Sequence, residues 1–306
     1  MCDLSSIGGV IPAMLTCFDG NGDFDSKAQR ALTDFLIDSG VGALYLTGST
    51  GEAFLMEEKV RKEVVETVID EAEGRVPVIV HVGDIGTKKT MDYARHADAS
   101  GAAAISSVPP FYWKFKKDEI VSYYRDVSES VSIPMIVYNI ALAGLVDFNT
   151  IKELAALENV KGIKYTATTH NEILRIKDEI GEDFKVYSGA DEMALSGLIY
   201  GSDGIIGSFY NIIPELFILL EKAVEDGDIA SARLMQKKAN AVIYYVLENH
   251  FFDTLKAVLK WSGVCDSTVL SPFYRLTEDD EVRIRRELKE LCRRYEITEC
   301  KVLNSI

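Results

Sequence analysis

Short apolar runs alternate along this chain with longer stretches whose apolar residues recur every three or four positions. The short runs fall at 9–15, 43–46, 77–82, 103–106, 134–138, 160–164, 184–188 and 204–207. Near-continuous apolar runs of this length predict strands buried on both faces. Helical periodicity covers 26–39, 57–72, 87–100, 117–130 and 169–180, with shorter helices near 148–155 and 191–200. Tyr165 to Thr169, directly after the sixth run, read as the start of a helix. Beyond about residue 225 the strand signal stops, and 228–249, 251–262 and 277–295 read as helices, the last carrying Leu288 and Leu291 on an apolar face amid many charges.

Eight strands, each followed by a helix, are the count for an α/β fold of the closed (β/α)8 TIM-barrel type. The expected division is a barrel over 1–225 and a C-terminal helical extension over 226–306. An open doubly wound sheet is the alternative, but no G-x-G-x-x-G follows the first strand. In a barrel, chemistry sits on the loops after the strand C-termini, so the pattern converts directly into segments to inspect.

Composition narrows the chemistry. The chain has 306 residues, 47% hydrophobic and 26% charged, ordinary values for a globular protein. No apolar run reaches the ~18–20 residues of a membrane span, and the first residues lack a secretory pattern. A net charge of −15 argues against nucleic acid as a partner. It leaves room for a small anion held by backbone amides and a single lysine. Five scattered cysteines, none in a C-x-x-C pair, fit reduced thiols and a cytoplasmic location. Four scattered histidines offer no zinc-like cluster, so no metal is expected.

The sixth strand run, Val160-Lys161-Gly162-Ile163-Lys164, closes on a lysine. Lysine at a strand end is most often a surface residue. Held out of water, however, its ammonium form is disfavoured, and the free amine becomes a nucleophile that forms imines with ketones. Strand alternation turns Lys161 away from the side that Lys164 faces. After the second strand, Thr47-Gly48-Ser49-Thr50-Gly51-Glu52 is a glycine-rich turn. Its amides can cradle a carboxylate, although such a turn is often only a turn. It lacks the Gly-Lys-Ser/Thr of a phosphate loop. Tyr112 follows the fourth strand and Tyr138 ends the fifth. Each is either a core aromatic or a proton carrier beside an imine. Asp191 and Glu192, after the seventh strand, either open a helix or accept hydrogen bonds from sugar hydroxyls. Gly207-Ser208-Phe209-Tyr210-Asn211 follows the eighth.

Taken together, Gly48-Ser49-Thr50-Gly51-Glu52, Tyr138-Asn139-Ile140, Gly162-Ile163-Lys164-x-Thr166, Gly189-x-Asp191-Glu192 and Gly207-Ser208-x-Tyr210-Asn211 resemble the class I aldolase family of N-acetylneuraminate lyase and dihydrodipicolinate synthase. The resemblance runs from about Gly8 into the C-terminal helices. Ser49-Thr50, His81-Val82-Gly83 and Asp191-Glu192 are similar to the neuraminate lyase branch. The synthase branch usually carries an arginine shortly after its Tyr-Asn motif, where this chain has Ile140-Ala141-Leu142-Ala143-Gly144. The resemblance implies an imine between Lys164 and pyruvate or a ketose acid, with Tyr138 moving a proton between sugar hydroxyl and carboxylate. It implies that Ser49 and Thr50 bind the carboxylate and that Tyr112 completes a hydroxyl relay across a subunit interface. Thr166, Gly189, Asp191, Glu192 and Ser208 would hold the sugar tail. It further implies no cofactor beyond the lysine imine, a homotetramer, and small 2-keto acids and sugars as partners. The alternatives are synthase-like condensation of pyruvate with aspartate semialdehyde, another sugar-acid aldolase or dehydratase, and a pyruvate-like acid sensor without turnover. Retained Lys164 and Tyr138 count against the sensor. Two departures line the expected sugar pocket: one residue fewer after Ile140, and Ala190 where the lyase branch often has tyrosine.

Overall fold

The computed structural model describes residues 4–306. Its eight strands are β1 (Gly9–Pro12), β2 (Leu44–Leu46), β3 (Val78–His81), β4 (Ala104–Ser107), β5 (Met135–Ile140), β6 (Val160–Thr166), β7 (Lys185–Ser188) and β8 (Gly204–Gly207). They pair in parallel in the order β1-β8-β7-β6-β5-β4-β3-β2. The ring closes between β1 and β2, where Gly42 N donates to Val10 O at 3.0 Å and Met14 N to Tyr45 O at 2.9 Å. Helices α1 (Ser26–Asp38), α2 (Glu58–Ala72), α3 (Thr87–Ser100), α4 (Lys117–Glu129), α5 (Phe148–Ala155), α6 (Asn171–Ile180), α7 (Ala194–Ile199) and α8 (Pro214–Glu225) follow the strands in turn. This is the TIM barrel expected from the alternating pattern.

Side-chain alternation sorts the core into two layers. Ile11, Ala43, Tyr45, Ile79, Ala104, Ile136, Tyr138, Tyr187 and Ile206 fill the barrel interior. Val10, Leu44, Val80, Ile105, Val137, Ile163, Val186 and Ile205 face the helices. Lys164 shares the parity of the inward set, whereas Lys161 points outward and is half-buried.

Two expectations need correction. Tyr165 to Thr169 do not begin a helix: β6 continues through Thr166, and α6 starts at Asn171. Tyr165 pairs with Asn139 on one side and Ser188 on the other, so its backbone is committed to the sheet. The stretch near 191–200 opens as a 3-10 turn, Asp191–Met193, before α7. Two helices also escape the periodicity reading, α8 and the short C-terminal one over Lys301–Ser305. In α8, Leu216, Phe217 and Leu220 are buried; Ile218 and Leu219 between them make a continuous apolar run in which a three-to-four spacing cannot be told from a buried strand.

Past β8 the chain continues as α9 (Ile229–Leu247), α10 (Phe251–Ser262), α11 (Glu278–Arg294) and α12 (Lys301–Ser305). Ile284, Leu288, Ile297, Val302 and Leu303 belong to the same buried cluster as the outer faces of the strands. None of the helices among the described residues is long and apolar enough to cross a membrane. Cys17, Cys265, Cys292 and Cys300 are buried free thiols; Cys2 lies outside the described residues.

Candidate active site

The C-terminal ends of the strands bring the sequence motifs into one mouth. Tyr138 on β5 is in direct register with Lys164 on β6. The Lys164 ammonium nitrogen stands 4.2 Å from the centroid of the Tyr138 ring and 4.4 Å from that of Tyr45. Lys164 is only 3% exposed. Desolvation pulls its pKa down from 10.5 to about 7, opposed by the charge of Asp191. Asp191 is itself buried, and desolvation raises its pKa to about 7, opposed mainly by the amide of Phe209. Each charge offsets part of the other's desolvation, so burial dominates both shifts and the mutual attraction tempers them.

The Tyr138 phenol is held above its usual range by burial, while the hydroxyls of Ser49 and Thr166 pull it back. Thr166 Oγ1 is buried without a hydrogen bond of good geometry. Gly189 admits it, since a Cβ there would stand 1.9 Å from Thr166 Oγ1 and 3.3 Å from Lys164 Cε. Any larger residue at 189 would displace the threonine or the lysine stem.

The turn after β2 is closed tightly at both ends. Thr47 and Glu52 have positive φ values of 50° and 58°, costly for residues with a Cβ. Thr47 Oγ1 donates to His81 O at 2.8 Å. Glu52 is buried against Lys256 on α10, Oε1 to Nζ 2.5 Å, and accepts from Leu270 N at 2.7 Å. Between these anchors the amides of Ser49 and Thr50 donate to no backbone carbonyl among the described residues. They form a compact donor pair for an anion. Thr50 Oγ1 lies 2.7 Å from Ser208 Oγ, tying this turn to the loop after β8.

His81 closes the back of the site, its ring edge-on to Tyr138 at 5.9 Å. Its Nδ1 lies 3.0 Å from Thr47 O, and its Nε2 accepts from Val108 N at 3.3 Å. Those partners assign the proton to Nδ1. Burial and the nearby Arg61 hold His81 far below its ordinary pKa, so it is a neutral wall.

Asp191 does not cap its own helix. Its Oδ2 accepts from Phe209 N at 2.8 Å. Gly207 has no side chain because a Cβ there would lie 2.1 Å from Asp191 Oδ1. Glu192 is half-buried on the wall of a 460 Å³ cavity shared with Thr166, Gly189, Ala190, Asp191, Ser208, Leu247 and Phe251. The segment after Ile140 forms a 3-10 turn, Ala141–Ala143, with Leu142 84% exposed.

Tyr112 alone stands apart. It is 81% exposed, with a positive φ of 83°, and packs edge-on against Trp113. Within its own chain it does not reach Lys164. Several site residues escaped the sequence reading. Tyr45 was one more apolar strand position. Gln236 Nε2 donates to Asp191 O at 3.0 Å and Asn240 Nδ2 to Glu192 O at 3.2 Å, both from α9. Lys256 carried a usable signal, a cation flanked directly by Leu255, Ala257, Val258 and Leu259 in the middle of a mostly apolar helix, where burial demands a partner.

A parallel barrel with an acidified buried amine, a phenol beside it and an amide cradle at the mouth is the arrangement of a class I aldolase, a carbon–carbon lyase. The profile of the dihydrodipicolinate synthetase family matches residues 6–291, and the chain belongs to that family. An N-acetylneuraminate lyase of Citrobacter koseri is 38% identical over 259 residues, 84% of this chain and 87% of its own. A Ruminococcus gnavus sialic acid aldolase catalytic lysine mutant superposes with a TM-score of 0.92 at 30% identity, covering 97% of this chain and 99% of that one. A Clostridium difficile structure in complex with mannosamine gives a TM-score of 0.90 at 30% identity over 95% of this chain and 100% of its own.

Proposed function

We propose that this chain cleaves N-acetylneuraminate reversibly to N-acetylmannosamine and pyruvate, through an imine on Lys164. The observation that carries the reading is the Lys164 amine, buried beside Tyr138 and without a carboxylate in contact, where desolvation favours its neutral form. In the open-chain sugar acid, the amine attacks the keto carbon and water leaves. The bond between the third and fourth carbons then breaks. Its electron pair flows into the protonated imine, which acts as electron sink. The hydroxyl proton of the fourth carbon passes to the Tyr138 oxygen as the phenol gives up its own proton, with the substrate carboxylate as acceptor. Ser49 and Thr50 hold that carboxylate through their amides and hydroxyls. The enamine is protonated, and water releases pyruvate from Lys164.

Thr166, Gly189, Asp191, Glu192 and Ser208 hold the sugar tail in the adjoining cavity. The lysine imine is the only prosthetic chemistry the cycle needs. The cysteine usage supports a cytoplasmic setting. The exposed Tyr112–Trp113 pair supports a homotetramer in which Tyr112 reaches a neighbouring subunit's site.

The test is a coupled assay for pyruvate release from N-acetylneuraminate, run beside condensation of pyruvate with aspartate semialdehyde. Borohydride reduction with pyruvate should label the peptide holding Lys164. A label on Lys161, or faster turnover of the semialdehyde, would overturn the reading.

A further inference from the structure

We infer that His170 is a positioning residue for sugar recognition: through Ser196 it clamps the 3-10 turn Asp191–Met193 to the loop that leaves β6. The inference rests on the reading that this turn meets the sugar tail.

His170 stands at the start of α6 and is 3% exposed. Its Nδ1 lies 2.6 Å from Ser196 Oγ, and Ser196 Oγ donates to Met193 O at 3.0 Å. A hydroxyl has one proton. Because Ser196 gives it to Met193, the imidazole must donate from Nδ1, which leaves Nε2 bare. Nε2 is buried and finds no partner. An orphaned acceptor carries a desolvation cost, and only the Nδ1 hydrogen bond gives this imidazole a polar role here. The slot is tight. Gly197 packs against Ser188, where a Cβ would lie 2.3 Å from Ser188 Oγ, with His170 Cε1 at 3.7 Å.

The consequence concerns the turn's carbonyls. Asp191 O and Glu192 O accept from Gln236 and Asn240 of α9. Met193 O accepts from Ser196, under His170. Three successive carbonyls are thus pinned. Of these three, only the third leads back to the segment that leaves β6; it holds the far end of the loop whose near end is fixed by Gly189 N donating to Tyr165 O at 2.9 Å. His170 thereby fixes the sugar-binding carboxylates relative to the amine without touching substrate.

The test compares His170→Ala, His170→Gln, His170→Asn and Ser196→Ala. Asparagine places its amide nitrogen near the position of Nδ1, and glutamine places its own near Nε2. The Ala and Gln variants and Ser196→Ala should raise KM for N-acetylneuraminate about five- to tenfold, the effect of one neutral hydrogen bond. Their kcat and their borohydride trapping of pyruvate should stay within about twofold of wild type. His170→Asn should restore KM. Hydrogen–deuterium exchange of the peptide 189–195 should quicken in the same variants and recover in His170→Asn. That readout needs no substrate. A wild-type enzyme that released no pyruvate from N-acetylneuraminate would refute the sugar reading while leaving the clamp to be decided by exchange. Unchanged exchange in His170→Ala, equal behaviour of Asn and Gln, or pyruvate trapping that fell in step with KM would overturn the clamp.

Discussion

Lys164 and Lys256 are both nearly inaccessible, at 3% and 1% exposure, and both lie close to the barrel mouth. Each ammonium nitrogen sits near an aromatic ring, 4.2 Å from Tyr138 and 4.8 Å from Phe18 respectively. They differ in what else they meet. Lys256 has Glu52 at 2.5 Å and the carbonyl of Thr268 at 2.7 Å. Lys164 faces ring faces, the stem-side opening at Gly189, and the more distant charge of Asp191. Burial alone therefore does not make a lysine a nucleophile. A buried ammonium with a carboxylate in contact is a structural tie, whereas one without it sheds its proton.

Substitution tests this contrast most strongly at Lys164 itself. Lys164→Ala should lower kcat for pyruvate release by on the order of 10⁴-fold or more. It should leave the midpoint of thermal unfolding unchanged or raised, because a buried polar amine without a close partner is removed. A large drop in the midpoint would show that Lys164, like Lys256, is a structural tie.

Next comes Tyr138→Phe, which removes the phenol but keeps the ring against the lysine. Turnover should fall ~10²–10⁴-fold, the usual size of a lost proton-transfer step. Borohydride trapping of pyruvate on Lys164 should persist. Near-normal turnover would mean that Tyr138 is only the wall of the pocket and that the proton travels elsewhere, with Tyr112 the first candidate.

Lys256→Met should show the opposite profile. Leaving Glu52 buried without its cation should destabilise the fold by about 3–5 kcal/mol, read by urea unfolding. The double variant Glu52→Gln with Lys256→Met should recover part of that loss. A single variant as stable as wild type would erase the distinction between the two lysines.

The smallest effect is one of pH. With a pKa of about 7 for Lys164, the amine is mostly ammonium below that value and mostly neutral above it. Imine formation with pyruvate, trapped by cyanoborohydride, should rise about tenfold per pH unit well below 7 and level off above about 8. A rise continuing to pH 10 would restore an ordinary lysine.

How much of this was legible in the chain differs between the two lysines. The eight strands follow from local apolar runs, and the inward parity of Lys164 follows from counting along β6. The motif order then supplied its neighbours. The Glu52–Lys256 tie joins residues with no local pattern in common, and Glu52 looked like one member of a glycine-rich turn. The end of β6 was misjudged because Thr166 to Thr169 resemble a helix start. The ladders to β5 and β7, which are non-local, decided otherwise. Clamp residues such as Gln236 and His170 are ordinary polar positions until the fold brings them beneath the 191–193 turn.

The Glu52–Lys256 tie also bears on the order of events during synthesis. The two residues are 204 positions apart, and all eight strands precede Lys256 in the chain. A nascent polypeptide thus carries every strand of its barrel while the turn bearing Ser49 and Thr50 still ends in an uncompensated anion. The carboxylate-binding loop acquires its countercharge only when α10 has emerged and docked. Closure of that loop is deferred to about the last sixth of translation.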